Sequence, residues 1–136
     1  MSLDLTPLVK SIASLDEALK EHAKDEENDF VRDACIQRFE FTYELSHKML
    51  KRFLEMTEPN PEAIELMSFQ DLIRTGDERG LLLNGWDVWS GYRKARGITS
   101  HTYDESKAAE VFAIIPDFFE EAKYLLEKLQ ERQLET

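Results

Sequence analysis

The chain has one cysteine, Cys35, in 136 residues. That excludes an intrachain disulfide and argues against a cysteine-based metal cluster. It also suits a reducing compartment. Basic residues are outnumbered, 17 Lys and Arg against 28 Asp and Glu, giving a formal net charge of -11. Such a surface repels nucleic acid and anionic lipid at long range, so any role on nucleic acid must rest on a local basic patch. No apolar run approaches the roughly 20 residues needed to span a bilayer. The opening MSLDLTPLVK lacks a basic stretch followed by an apolar one, as a secretory leader would have. A cytoplasmic protein without membrane association is expected. Of the three histidines, His22 and His47 have no partners at ligand spacing, so neither a metal nor a cofactor is expected. The segment GDERG (76–80) lacks the Lys-Ser/Thr of a phosphate loop.

Glycine and proline are also scarce, 5 and 4 residues, and no stretch alternates as a strand would. Leu, Glu, Lys and Ala are abundant instead, which favours helices. The length fits one domain over residues 1–136. Thr6-Pro7 reads as a cap followed by the proline of a first helical turn, with Leu8, Ile12, Leu15 and Leu19 at helical spacing. A long helix over about 28–56 carries two apolar stripes, Val31, Cys35, Leu45, Met49 and Phe53 on one and Ile36, Phe39, Tyr43, Leu50 and Leu54 on the other. So wide an arc needs more than one neighbour. The prolines of EPNPE (58–62) end it.

Residues 62–82 read as one or two shorter helices, with Ser68 a cap. Asn84 is expected to cap a further helix ending near Gly97. Thr102 and Glu105 have the spacing of a capping box for the last helix, and Pro116 is expected to kink or break it. The sum is an all-α, antiparallel up-and-down bundle of four to five helices.

Within this acidic chain, YRKARGITSHTYDE (92–105) gathers Arg93, Lys94, Arg96 and His101. On one continuous helix Arg96 and His101 would diverge by about 140°. Gly97, Ile98 and Thr99 disfavour continuation, so the chain is expected to turn between them. A guanidinium and an imidazole would then meet near a helix N-terminus, which suits phosphate. Metal-independent RNA cleavage needs a base, an acid and a cation at the phosphorane, and Arg96 and His101 supply such groups. Ser100 and Thr99 offer hydrogen bonds. Spacing alone equally admits a plainer arrangement, with Arg96 complementing a helix C-terminus, His101 in a surface loop and Tyr103 a packing residue. Gln37, Arg38, Glu40 and Glu44 form a polar seam on the long helix, read as a solvated face, as support for the Arg–His pair or as a dimer contact. Trp86, Trp89 and Tyr92 either stack a base or fill the core.

The stretches IQRFEFTYELSHKMLKRFLE (36–55) and RGITSHTYDE (96–105), joined by GWDVWSGYRKAR, resemble the nucleotidyltransferase substrate-binding protein family. That family lies in the HEPN superfamily, the higher eukaryote and prokaryote nucleotide-binding fold. The resemblance covers residues 5–132. It implies a HEPN-like helical homodimer, encoded beside a minimal nucleotidyltransferase, with the Arg–His motifs of two subunits facing one cleft.

In related toxin–antitoxin pairs the HEPN protein is a ribonuclease, and its partner silences it by transferring AMP to the tyrosine of Arg-x4-His-x-Tyr. By that match Arg96 and His101 are the catalytic pair and Tyr103 the modified residue. Nucleotide or RNA would bind at the basic patch. An older view of the family is a non-catalytic subunit that presents substrate to the nucleotidyltransferase. One position departs from catalytic members: the residue after the arginine, usually Asn or Asp, is Gly97 here.

Overall fold

A computed structural model describes residues 2–134. The first helix, α1 (Thr6–Lys24), begins one residue earlier than the Thr6 cap implies. Leu5 holds the cap position, Pro7 lies in the first turn where a missing N–H costs nothing, and the Asp4 carboxylate accepts the Thr6 N–H at 3.0 Å. Helix α2 (Asp29–Thr57) is capped by Asn28, whose side chain accepts the N–H groups of Phe30 and Val31. Both expected stripes face inward along it: Cys35, Met49 and Phe53 are buried from one, Ile36, Phe39, Tyr43, Leu50 and Leu54 from the other.

After the prolines come α3 (Pro61–Glu65) and α4 (Phe69–Glu78), the latter capped by Ser68 as expected. Gly80 follows with φ of 75°, a left-handed turn that a side chain would strain. Helix α5 (Trp86–Gly97) is capped by Gly85, not by Asn84. The Asn84 amide N–H instead donates to the buried Glu121 carboxylate at 3.0 Å, a charge-assisted bond that holds the side chain against α6. A single 3-10 turn (Thr99–His101) leads to α6 (Glu105–Leu134).

The start of α6 also differs from expectation. The Thr102 hydroxyl donates back to the Thr99 carbonyl at 3.1 Å, and no capping box forms. Asp104 takes the role: its carboxylate accepts the Ser106 N–H at 2.9 Å and suits the positive end of the helix dipole. The Ser106 hydroxyl, donating at 2.7 Å, and the Ser106 N–H hold the Asp104 pKa below the usual carboxylate value. The helix then runs unbroken through Pro116. Val111, Ile115, Phe118, Ala122 and Leu125 are fully buried on both sides of the proline, so packing carries the helix across one lost backbone bond.

The arrangement is an up-and-down bundle of α1, α2, α5 and α6, with α3 and α4 filling the α2–α5 connection. Contacts fix the directions. Arg32, near the start of α2, reaches Glu105 at the start of α6, while Leu3 ahead of α1 bonds Gln133 at the other end. Lys94 faces Glu110, and Asn84 bonds Glu121, so α5 runs antiparallel to α6. The core between them is aromatic. Phe39 meets Phe118 edge-on at 5.1 Å, and Trp89 meets Tyr92 edge-on at 5.3 Å. Trp89 and Tyr92 are fully enclosed, which leaves Trp86, half-buried, as the accessible ring of that trio.

Candidate functional site

The chain breaks where the sequence requires. Helix α5 ends at Gly97, and the backbone passes through Thr99–His101 before α6 starts at Glu105. Gly97 does not adopt a positive φ, and a Cβ built on it meets nothing within 4 Å. The break therefore comes from the weak helix preference of Gly97 and the β-branched Ile98 and Thr99, not from a conformation reserved for glycine.

Arg96 lies on the last turn of α5 and points across to α2. Its Nε donates to Glu44 at 3.0 Å, its Nη2 lies 3.7 Å from Glu40, and its Nη1 donates to the Thr99 hydroxyl at 3.2 Å. The same hydroxyl donates to the Arg96 carbonyl at 2.9 Å. Thr99 thus ties the arginine to the turn while two carboxylates tie it to α2. Its side chain keeps 33 % of its surface exposed.

His101 and Tyr103 project from the turn into solvent, Tyr103 being 86 % exposed. Their rings meet edge-on, 6.4 Å between centroids. Among the described residues no side chain hydrogen-bonds either His101 nitrogen or the Tyr103 hydroxyl. Ser100 is exposed beside them.

The polar seam divides. Glu40 and Glu44 serve Arg96. Arg38 does not join them: its Nη1 donates to the Ser14 carbonyl of α1 at 2.7 Å. The expectation that Arg38 supports the motif is therefore corrected. It sits only two residues from Glu40, but that offset turns it to the α1 side of α2.

Two contacts of the site went unread in the sequence. Glu44 also meets Nε2 of His47 at 3.1 Å, so one carboxylate bridges a histidine and Arg96. Arg32, 13 % exposed, pairs with Glu105 at 2.7 Å and with Asp29 and Asp33. Hydrogen bonding to Glu105 raises the Arg32 pKa, and that same bond lowers the pKa of Glu105. The motif turn is thereby anchored at both ends, by Arg96 on the middle of α2 and by Arg32 on its start. The Glu44–His47 step of three residues was readable as a helical neighbour pair. The Arg32–Glu105 pair spans 73 residues and needs the fold. Among the described residues no group of three or more His, Cys, Asp or Glu is placed to hold a metal, and no helix is long and apolar enough to cross a membrane.

This geometry has relatives. The chain matches the family model for nucleotidyltransferase substrate binding protein like over residues 3–131. It is 46 % identical over 98 residues to a protein of Haemophilus influenzae named probable ribonuclease HepT, an alignment that covers 72 % of this chain and 66 % of that relative's length. A solved Haemophilus influenzae structure superposes with a TM-score of 0.87 at 37 % identity, covering 93 % of this chain and 99 % of the other. It is described as revealing the fold of a substrate binding domain of a nucleotidyltransferase. A Thermus thermophilus structure superposes with a TM-score of 0.71 at 33 % identity, over 90 % and 98 % of the two chains. With the helical bundle in place and nearly its whole length matched, the chain belongs to the nucleotidyltransferase substrate-binding protein family.

Proposed function

We propose that this chain is the HEPN-type partner of a minimal nucleotidyltransferase and, as a homodimer, a metal-independent endoribonuclease silenced through Tyr103. The observation that carries the reading is the turn itself. It presents the free imidazole of His101 and the free hydroxyl of Tyr103 side by side, two and four residues beyond the threonine that grips Arg96. In cleavage His101 takes the proton of a ribose 2′-hydroxyl, whose oxygen attacks the adjacent phosphorus. The 5′-oxygen leaves with a proton from the second subunit's imidazole, and a 2′,3′-cyclic phosphate remains. Arg96 stabilises the charge on the phosphorane. In silencing, the Tyr103 oxygen attacks the α-phosphorus of a nucleoside triphosphate held by the partner. Pyrophosphate leaves, and the tethered anion then competes with RNA beside Arg96 and His101. An exposure of 86 % makes Tyr103 reachable by another enzyme's active site.

Two features favour the second reading, a non-catalytic subunit that presents substrate. Glu40 and Glu44 already neutralise Arg96, and the space above Gly97 holds no orienting side chain. Incubating the protein with tRNA and mRNA, beside His101→Ala, separates the two. Cleavage by the parent alone supports the ribonuclease. No cleavage by either, with tight binding to the nucleotidyltransferase, supports the presenting subunit. Mass spectrometry after incubation with the nucleotidyltransferase and ATP is expected to find the adduct on Tyr103 and none on Tyr103→Phe.

A further inference from the structure

A polyanion has a problem at this site. Arg96 is outnumbered by the carboxylates that hold it, and the chain as a whole carries -11. Long-range attraction to RNA must come from other cations. Most lysines and arginines are already claimed: Lys20 by Asp16, Lys24 by Glu21, Arg79 by Glu58, Lys123 by Glu120. Others, Lys10, Arg52 and Lys107 among the described residues, have no such carboxylate, and three further unclaimed cations cluster beside the motif. Among the described residues Lys48, Lys51 and Arg93 have no carboxylate within ion-pair distance. Lys51 donates to the Glu65 carbonyl at 3.2 Å, and the Arg93 guanidinium lies over the Phe69 ring, 5.3 Å from its centroid.

These three residues form one surface with the site. Arg93 precedes Arg96 by one helical turn. The Phe69 ring lies between Arg93 and His47, whose ring meets it edge-on at 5.4 Å, and His47 shares Glu44 with Arg96. Lys48 and Lys51 continue along α2 and, with Glu44, Leu45 and His47, line a shallow concavity of about 380 Å³. Trp86 lies 5.9 Å from Phe69, edge-on, and both residues are half-buried, with the Arg93 guanidinium over the Phe69 ring. Alternating cations and ring faces are what a flexible single strand requires, since phosphates follow the charges and bases stack on the rings. An acidic protein face would meet the charges, whereas the alternation of charge and ring matches the phosphate and base repeat of a single strand.

We infer that Lys48, Lys51 and Arg93, with Phe69 and Trp86, form a track that binds single-stranded RNA and feeds it to the Arg96–His101 turn. The inference rests on the ribonuclease reading for what happens at the end of the track, but not for binding along it.

The test uses the full chain carrying His101→Ala, so that RNA survives, and a fluorescent single-stranded RNA oligonucleotide titrated across salt concentrations. Replacing Lys48, Lys51 and Arg93 together with alanine is expected to weaken binding by tenfold or more, and to flatten the slope of log affinity against log salt by about 2, at roughly 0.7 per lost phosphate contact. A charge-matched triple on α1, K10A/K20A/K24A, is expected to change binding less than twofold. K48Q/R93Q leaves the Lys51 bond to Glu65 intact and covers the case in which the full triple folds poorly. Equal weakening by the two triples overturns the track. So does unchanged RNA binding accompanied by lost binding to the nucleotidyltransferase, which would make the patch a protein-docking face. If the parent cleaves RNA and the track triple cleaves it with unchanged KM, the track falls and the ribonuclease stands. If RNA binds along the track but no variant cleaves it, the ribonuclease falls and the track stands.

Discussion

The loop ahead of α5 and the turn behind it both bring polar side chains against a neighbouring helix, and they treat them in opposite ways. Ahead of α5, Glu121 of α6 is fully buried, accepting the Leu83 N–H at 2.8 Å and the Asn84 amide at 3.0 Å. The indole N–H of Trp89 and the hydroxyl of Tyr92 are buried nearby without closing hydrogen bonds of their own, and the Glu121 charge raises the Tyr92 pKa on top of its burial. Behind α5, His101 and Tyr103 stand in solvent, and among the described residues the ring contact of each is with the other. One end of the helix is fixed by a satisfied buried charge. The other end ties Arg96 to Glu40 and Glu44 but leaves the His101 imidazole and the Tyr103 hydroxyl uncommitted, as the proposed chemistry on a large substrate requires. On the proposed function, stability and activity are lodged at opposite ends of one twelve-residue helix.

That separation can be broken from either side. The largest effect is expected on activity: His101→Ala loses about 10²- to 10⁴-fold in RNA cleavage with an unchanged melting temperature, as removal of an acid–base group does. A parallel loss of melting temperature would contradict the separation. Next is Glu121→Ala, which strands the Leu83 N–H and the Asn84 amide and is expected to cost about 2–4 kcal/mol in urea unfolding, with cleavage per folded molecule unchanged.

A smaller effect sharpens the point through pH. Burial raises the Glu121 pKa above its ordinary value, opposed by the bonds from Asn84 and Leu83. The folded state therefore holds that proton more tightly than the unfolded chain. The resulting penalty is fully present above the folded pKa and disappears as pH falls to the unfolded value near 4.5. Compared with Glu121→Gln, the parent is expected to gain relative stability on acidification through that window, measured by denaturant titration at several pH values. A pH-independent difference would sink the claim. The smallest effect belongs to Gly97→Ala. Ordinary φ and an open Cβ position predict a gain of roughly 0.4–1 kcal/mol.

The helices were legible because two-faced apolar spacing repeats along α1, α2 and α6, and Ser68 and the prolines at 59 and 61 mark real boundaries. The turn after Gly97 was legible from weak helix formers in succession. The errors share one cause. The caps at Asn84 and Thr102 and the break at Pro116 follow from local rules, and each gives way to something distant or to a better local competitor. Glu121 draws Asn84 away, Asp104 displaces Thr102, and a continuous buried face overrides Pro116. Glu121 itself gave a signal that passed unused. It lies three residues after Phe118 and four before Leu125, so a helix that buries those two buries it as well. Arg38 failed for the reverse reason, since nearness in sequence on a helix is not nearness in direction.

The empty space above Gly97 also offers a practical handle. Cys35, the one native thiol, is sealed inside the bundle, and burial lifts its pKa further from reactivity. A Gly97→Cys chain would carry a single accessible thiol, next to the motif and with room for a dye. Such a chain could report strand arrival, adduct formation and partner docking as separate fluorescence changes from one labelled position.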